Sequence, residues 1–158
     1  MGMSQFLMSG GLIVSRVPIK ISTVLGSCVS VCLWDSETKT GGMNHYLLPG
    51  GDEDSAGDFN KGKSSIKMLV KSMINRGCSV HSLEAKIFGG GSCLMPGNRF
   101  NVDKQNIEIA FSTLNELGIF ISNHHTGGTV GRKIIFNTGN GKVQLKLLDQ
   151  DDSELNKA

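Results

Sequence analysis

The sequence is short of the features that would place it in several large classes. Its four cysteines, Cys28, Cys32, Cys78 and Cys93, form no C-x-x-C pair, which argues against a disulfide-stapled scaffold and for a reducing, cytoplasmic setting. No apolar run approaches the ~18–20 residues of a membrane span, so no membrane insertion is expected. The opening residues carry no charged-then-apolar leader, and Met1-Gly2-Met3-Ser4-Gln5-Phe6 lacks the hydroxyl residue that ends a myristoylation signal. Charge of neither sign dominates: 16 Lys and Arg face 14 Asp and Glu, a net of +2 without runs, which gives no electrostatic case for nucleic acid.

What is present fits one domain. A chain of 158 residues is long enough to bury roughly 70% of the surface its unfolded form exposes. Gly11–Val14 and Ile19–Ile21 are short β-like runs separated by Pro18. From Cys28 to Trp34 the residues alternate, Val29, Val31 and Leu33 on one face and Ser30, Cys32 and Trp34 on the other, which predicts a strand beginning at or just after Cys28. Asp35–Gly42 reads as a polar turn and Met43–Leu48 as the returning strand. Asp52–Gly57 reads as an acidic loop. Ile66, Leu69, Val70, Met73 and Ile74 form a helical stripe with Ser64 as N-cap and Gly77 as stop. Ile107, Ala110, Phe111, Leu114 and Leu117 form a second, over about Asp103–Leu117, capped by Asn101 or Asp103 and stopped by Gly118. Strands are expected at Glu84–Phe88, Ile119–Ser122, Lys133–Asn137 and Lys142–Leu148, the last two joined by a turn at Thr138–Gly141. The fold class is therefore α/β of the α+β type: a single domain over 1–158, its core at about 11–148, with two main helices on a layered, mainly antiparallel sheet and a polar tail over 149–158.

Two residues draw attention as a chemical pair. Cys28 sits in Leu25-Gly26-Ser27-Cys28, where small neighbours leave the backbone N–H groups of Ser27 and Cys28 open beside the sulfur, as a developing oxyanion requires. His45 sits in Gly41-Gly42-Met43-Asn44-His45, on the strand expected to return toward Cys28, where an imidazole would serve as base. A lone cysteine is more often a small buried hydrophobe, and a lone histidine a half-buried hydrogen-bonded one; it is the two phrases together that favour chemistry. Other arrangements fare worse. Cys28 and Cys32 on one strand would lie ~13 Å apart, too far for one zinc ion. His124 and His125 are adjacent and would point to opposite faces of an extended segment, and His81 falls in a solvated stretch. Gly89-Gly90-Gly91-Ser92 lacks the lysine and the spacing of nucleotide loops, so close backbone packing near the site is the better reading. No metal and no cofactor is implied.

The phrases carry a family resemblance. Leu25-Gly26-Ser27-Cys28, Gly41-Gly42-Met43-Asn44-His45-Tyr46-Leu47-Leu48-Pro49, Phe88-Gly89-Gly90-Gly91, Asn106-Ile107-Glu108, Gly118-Ile119, Gly127-Gly128-Thr129-Val130-Gly131-Arg132-Lys133 and Phe136 resemble, in order and spacing, the CheD chemoreceptor glutamine deamidases, over about Gly11–Leu148. The resemblance implies Cys28 as nucleophile, His45 as catalytic histidine, and a hydroxyl residue shortly before the cysteine that orients the imidazole. Ser22 holds the family's threonine position and Thr23 keeps the residue type, so both stay open. At Val102-Asp103-Lys104-Gln105-Asn106 the chain departs from the family's Ile-Gly-x-Arg-Asn, so no role passes to an arginine there.

The implied reaction is hydrolysis of a glutamine side-chain amide in the methylation region of a methyl-accepting chemoreceptor's cytoplasmic domain, with a CheC-type phosphatase as second partner. Two rivals stay open, a cysteine amidohydrolase with another substrate and a binding module for receptor or phosphatase without turnover. Substrate contact is expected at the glycine-rich turns, represented by Gly42, Gly90 and Gly128, which bring backbone close with little bulk.

Overall fold

The computed structural model describes residues 2–51, 58–92 and 101–148. The readings of 52–57 as a loop and of 149–158 as a tail, and Cys93, lie outside the described residues. Among the described residues nine strands and two helices follow one another as β1 (Met3–Phe6), β2 (Leu12–Ser15), β3 (Ile19–Leu25), β4 (Val29–Asp35), β5 (Thr40–Asn44), α1 (Gly62–Asn75), β6 (Leu83–Gly89), α2 (Val102–Glu116), β7 (Phe120–Thr126), β8 (Gly131–Asn137) and β9 (Val143–Leu148), with a 3-10 turn at Val80–Ser82.

The strands form two sheets, one ordered β1-β3-β8-β9 and the other β2-β5-β4-β6-β7. Pairing is antiparallel except where β1 joins β3 and β6 joins β7. The helices cover one face of the five-stranded sheet and the four-stranded sheet covers the other, so the molecule has three layers and two cores. Between helices and sheet lie Val29, Val31, Leu33, Ile66, Leu69, Met73, Ala110 and Leu114. Between the sheets lie Ile19, Ile21, Leu25, Cys32, Met43, Phe88, Ile134 and Phe136. This explains β4, whose two alternating sets are both buried: it is a central strand of the middle layer.

The helices form where the apolar stripes place them, and both stop as expected. Gly77 and Gly118 take φ of +95° and +74°, and the N–H groups beyond them bond back into the last turn, Cys78 to Met73 O and Ile119 to Leu114 O. The start of α1 differs from the sequence reading, and α2 starts at one of its two expected cap positions but without a side-chain cap bond. Lys61 precedes α1, and Ser64 is buried inside the first turn instead of capping it. Asn101 precedes α2 in the left-handed region without a side-chain cap bond.

Several strands run longer than their patterns suggested, because tertiary pairing extends them. β3 continues from Ile21 to Leu25 along β8, and β7 reaches Thr126 along β6. β1 was not legible at all; its four residues are exposed and it is held by backbone pairing to β3. The returning strand is Thr40–Asn44 instead of Met43–Leu48. Gly41 and Gly42 are strand residues: a Cβ on Gly41 would stand 2.9 Å from Thr138, and one on Gly42 2.9 Å from Val14 and 3.0 Å from Leu69.

Candidate active site

The site lies where the β4–β5 ladder ends. Partners Cys32–Met43 and Leu33–Gly42 set the register, and the same register reaches an isolated bridge between Val29 and Tyr46, closed by hydrogen bonds of 3.1 and 3.0 Å between their backbones. His45 therefore stands opposite Ser30, and Cys28, two residues from Ser30, shares that face. The two are diagonal cross-strand neighbours, a relation that puts Cα atoms ~7–8 Å apart and lets longer side chains meet. Both point toward the four-stranded sheet: Cys28 packs on the core between the sheets, and His45 touches β3.

The imidazole of His45 is 6% exposed and is held from behind. Thr23 Oγ1 lies 2.7 Å from His45 Nδ1 and donates to the carbonyl of Leu7 at 2.7 Å. A carbonyl only accepts and a hydroxyl has one proton, so with the hydroxyl proton on Leu7 O the ring must donate from Nδ1–H. That tautomer leaves a lone pair on Nε2, which is buried and has no hydrogen-bond partner among the described residues. Burial holds the imidazole below the usual histidine range, opposed by a weaker effect of the Leu7 backbone. The ring is neutral at physiological pH.

Cys28 is part exposed. Burial pushes its thiol up, and its own backbone N–H, directed at the sulfur, partly offsets this. Thiol and imidazole thus rest as a neutral pair, in contrast to the thiolate–imidazolium pair of some cysteine enzymes. Among the described residues no backbone acceptor takes the N–H of Ser27 or Cys28. Cys32 faces the same core but is fully enclosed, and burial drives its thiol far up.

Ser22 and Thr23, left open by the sequence, occupy opposite faces of β3. Thr23 shares the inward face with Ile19, Ile21 and Leu25, while Ser22 points away. The hydrogen bond to His45 belongs to Thr23.

The glycines divide. Gly42 is buried under α1, so its placement on a substrate surface is corrected. Gly90 is buried too. Its φ is +73° and a Cβ there would lie 2.4 Å from Ile107, so it packs the back of the site against α2. Its loop supports the Cys28 segment: Gly90 N–H donates to Cys28 O at 2.9 Å and Gly91 N–H to Gly26 O at 2.9 Å. Close backbone packing, as read from the sequence, describes Gly89–Gly91. Gly128 has φ of +77° and open space where a Cβ would be. It remains a surface position.

His124 makes an edge contact with Phe111 of α2. His125 Nδ1 accepts from Arg132 Nε at 2.9 Å, so these neighbours do diverge. His81 is exposed. Among the described residues no three of His, Cys, Asp and Glu cluster as a metal site would require, and no helix is long and apolar enough to cross a membrane.

Sequence reasoning passed over two groups. The Leu7 carbonyl, which receives the Thr23 proton, follows a strand with no apolar pattern. Asn106 is fully buried and its Nδ2 donates to Ser27 O and Leu47 O, both at 3.0 Å. Its signal was present: Asn106 stands in line with Ala110 and Leu114, a polar side chain on an apolar stripe.

Comparison with known proteins adds three kinds of finding. Residues 47–147 match the family model of CheD, described as CheD chemotactic sensory transduction. A "Probable chemoreceptor glutamine deamidase CheD" of Sulfurimonas denitrificans is 40% identical over 94% of this chain and 96% of its own. One of Trichlorobacter lovleyi is 38% identical over 89% of this chain and 88% of its own. The "Probable chemoreceptor glutamine deamidase CheD 1" of Methanosarcina acetivorans is 37% identical over 90% of this chain and 91% of its own. Among solved structures, the Bacillus licheniformis hypothetical protein YfiH covers 72% of this chain and 49% of its own, with a TM-score of 0.47 at 15% identity.

Proposed function

For a chain that belongs to the CheD family, we propose deamidation of chemoreceptor glutamines, with Cys28 as nucleophile, His45 as base and acid, and Thr23 as the residue that orients His45. The observation that carries this is the imidazole: buried, fixed at Nδ1 by Thr23, and with an unpartnered Nε2 on the face of the sheet that also presents Cys28.

The chemistry follows from those groups. As the sulfur of Cys28 attacks the carboxamide carbon of glutamine, its proton passes to His45 Nε2. Negative charge grows on the carboxamide oxygen, which takes hydrogen bonds from the N–H groups of Ser27 and Cys28, neither of which has a backbone acceptor among the described residues. The imidazolium returns the proton to the departing nitrogen, and ammonia leaves a thioester. Neutral His45 then takes a proton from water as its oxygen adds to the thioester carbon; when that adduct collapses the C–S bond breaks, the imidazolium returns the proton to Cys28 sulfur, and the glutamic acid released ionises to glutamate.

A neutral resting pair suits such a task. A free thiolate would react with many electrophiles, whereas here the proton moves only as the substrate carbon arrives. The Thr23–Leu7 arrangement favours the tautomer that accepts at Nε2, and Thr23 can follow the ring's charge because its oxygen receives Nδ1–H in both states.

By this reading the substrate is a glutamine projecting from the helical methylation region of a chemoreceptor, and the glutamate formed becomes a site for methylation in adaptation. A CheC-type phosphatase is the proposed second partner. The test is co-production with a chemoreceptor, followed by peptide mass analysis of its glutamines and assay of released ammonia. Conversion to glutamate that requires Cys28 and His45 supports the reading. Unchanged glutamines beside a folded chain would overturn it.

A further inference from the structure

Resting on that reading of Cys28 and His45, we propose that Asn106 is the positioning residue that fixes the nucleophile segment and the histidine segment relative to one another. Past the Val29–Tyr46 bridge the two segments part. Among the described residues no backbone N–H reaches the carbonyl of Ser27 or of Leu47. Those are the residue before the nucleophile and the second residue after the histidine. Ser27 is half-buried and Leu47 lies at the surface, and a carbonyl that loses water without gaining a partner carries a cost comparable to a lost hydrogen bond.

One carboxamide from α2 satisfies both. Asn106 Nδ2 has two hydrogens and gives one to each carbonyl, at 3.0 Å apiece. The two acceptors also determine which way the amide is turned, since only its nitrogen can face them. Tyr46, next to His45, donates its hydroxyl to the backbone carbonyl of Asn106 at 2.5 Å. Asn106 is therefore tied to residues 27, 46 and 47, and its own side chain is wholly buried, so the donor end of each link is fixed by packing.

The bracket bears on chemistry because it acts across the gap the proton must cross. The glycine loop holds the nucleophile segment from its other side, through Gly26 O and Cys28 O, and Thr23 holds the imidazole. The Val29–Tyr46 bridge joins the segments at one point, and neither of these other holds sets their spacing beyond it. Asn106 does so without touching sulfur, ring or substrate. Loss of the bracket should therefore affect proton transfer more than substrate affinity.

The experiment compares Asn106→Ala, Tyr46→Phe and Leu114→Ala. Leu114 is a buried residue on the same helix that contacts neither segment through a hydrogen bond, so its truncation controls for lost packing. Two readouts are taken: steady-state deamidation of receptor, and alkylation of Cys28 by iodoacetamide. The second is expressed as the part that depends on His45, obtained by subtracting the rate of a His45→Ala chain. Asn106→Ala should lower kcat at least tenfold with KM within about twofold, a fraction of the ~10²–10⁴-fold that a positioned acid–base group supplies, and should lose most of the His45-dependent alkylation. Tyr46→Phe, which removes one hydroxyl, should shift both in the same direction by less. Leu114→Ala should lose as much melting temperature as Asn106→Ala but keep kcat.

Native kcat and native His45-dependent alkylation in folded Asn106→Ala would overturn the proposal. So would kcat losses that track melting temperature across all three variants. Should Asn106→Ala fail to fold, Tyr46→Phe decides alone, with unchanged readouts counting against the bracket. Equal alkylation in native and His45→Ala chains would remove the Cys28–His45 pairing and the bracket with it. Unmodified receptor alongside intact His45-dependent alkylation would overturn only the substrate assignment.

Discussion

Thr23 Oγ1 stands 2.7 Å from His45 Nδ1 and 2.7 Å from the carbonyl of Leu7, so a strand of one sheet fixes the tautomer of a histidine in the other. The relationship joins the two sheets at the site.

Thr23→Val keeps the shape and removes the hydroxyl. Ammonia release should fall by about tenfold or more, a part of the ~10²–10⁴-fold available from general acid–base catalysis, because the ring loses the partner that holds Nδ1–H. Ser22→Ala, on the outer face of β3, should leave the rate unchanged. The reverse ranking in ammonia assays would reassign the orienting hydroxyl.

Cys28→Ala should fold as the native chain does and release no ammonia. Cys32→Ala removes a fully enclosed sulfur from the core between the sheets and should cost about 1 kcal/mol in denaturant melts, with turnover retained by the molecules that remain folded.

The pH dependence follows from the two neutral groups. Burial holds the His45 pKa below its ordinary 6.5, so the acid limb of kcat/KM should lie below pH 6.5. The thiol of Cys28 is raised above 9.0, so direct thiolate alkylation in a His45→Ala chain should rise only above that pH. The same histidine shift has a sign for stability. The unfolded chain binds the proton more readily, so the His45 contribution is complete above 6.5 and is lost as pH falls through the lower folded value. An alkylation plateau near neutral pH in native protein, with an inflection well below 9.0, would indicate a resting ion pair instead.

The two remaining glycine positions should separate in their behaviour. Gly90→Val places a β-branched residue at φ of +73° against Ile107. It should lower melting temperature and reduce deamidation and Cys28 alkylation together. Gly128→Val, where a Cβ meets open space, should cost the ~1–2 kcal/mol of a left-handed conformation. It should impair deamidation of intact receptor more than alkylation by a small reagent. Parallel losses in Gly128→Val would place that turn among the structural ones, with Gly90.

The amino-acid sequence by itself determined a good deal here. The phrases around Cys28 and His45 singled out two residues that the folded chain sets diagonally across one ladder. The apolar stripes located both helices, and Gly77 and Gly118 ended them, because helix periodicity and left-handed stops are local properties. The alternation over Val29–Trp34 gave a strand with two useful faces. The parity of β3 was also legible in principle: Ile19, Ile21 and Leu25 share a face with Thr23, but polar Thr23 facing inward and apolar Val24 facing outward break the alternation and hide it.

Tertiary structure decided the rest. Backbone pairing to β3 makes β1 a strand, which no side-chain pattern announces, and that pairing brings the Leu7 carbonyl to Thr23. Layering decides which glycines are interior: Gly42 lies beneath α1 and Gly90 behind Cys28 because a second layer covers each, a fact that is non-local by nature. Asn106 shows the limit most clearly. Its polarity on an apolar stripe signals a buried partner, but only the folded chain shows that the partners are two carbonyls, one on the Cys28 segment and one on the segment that follows His45.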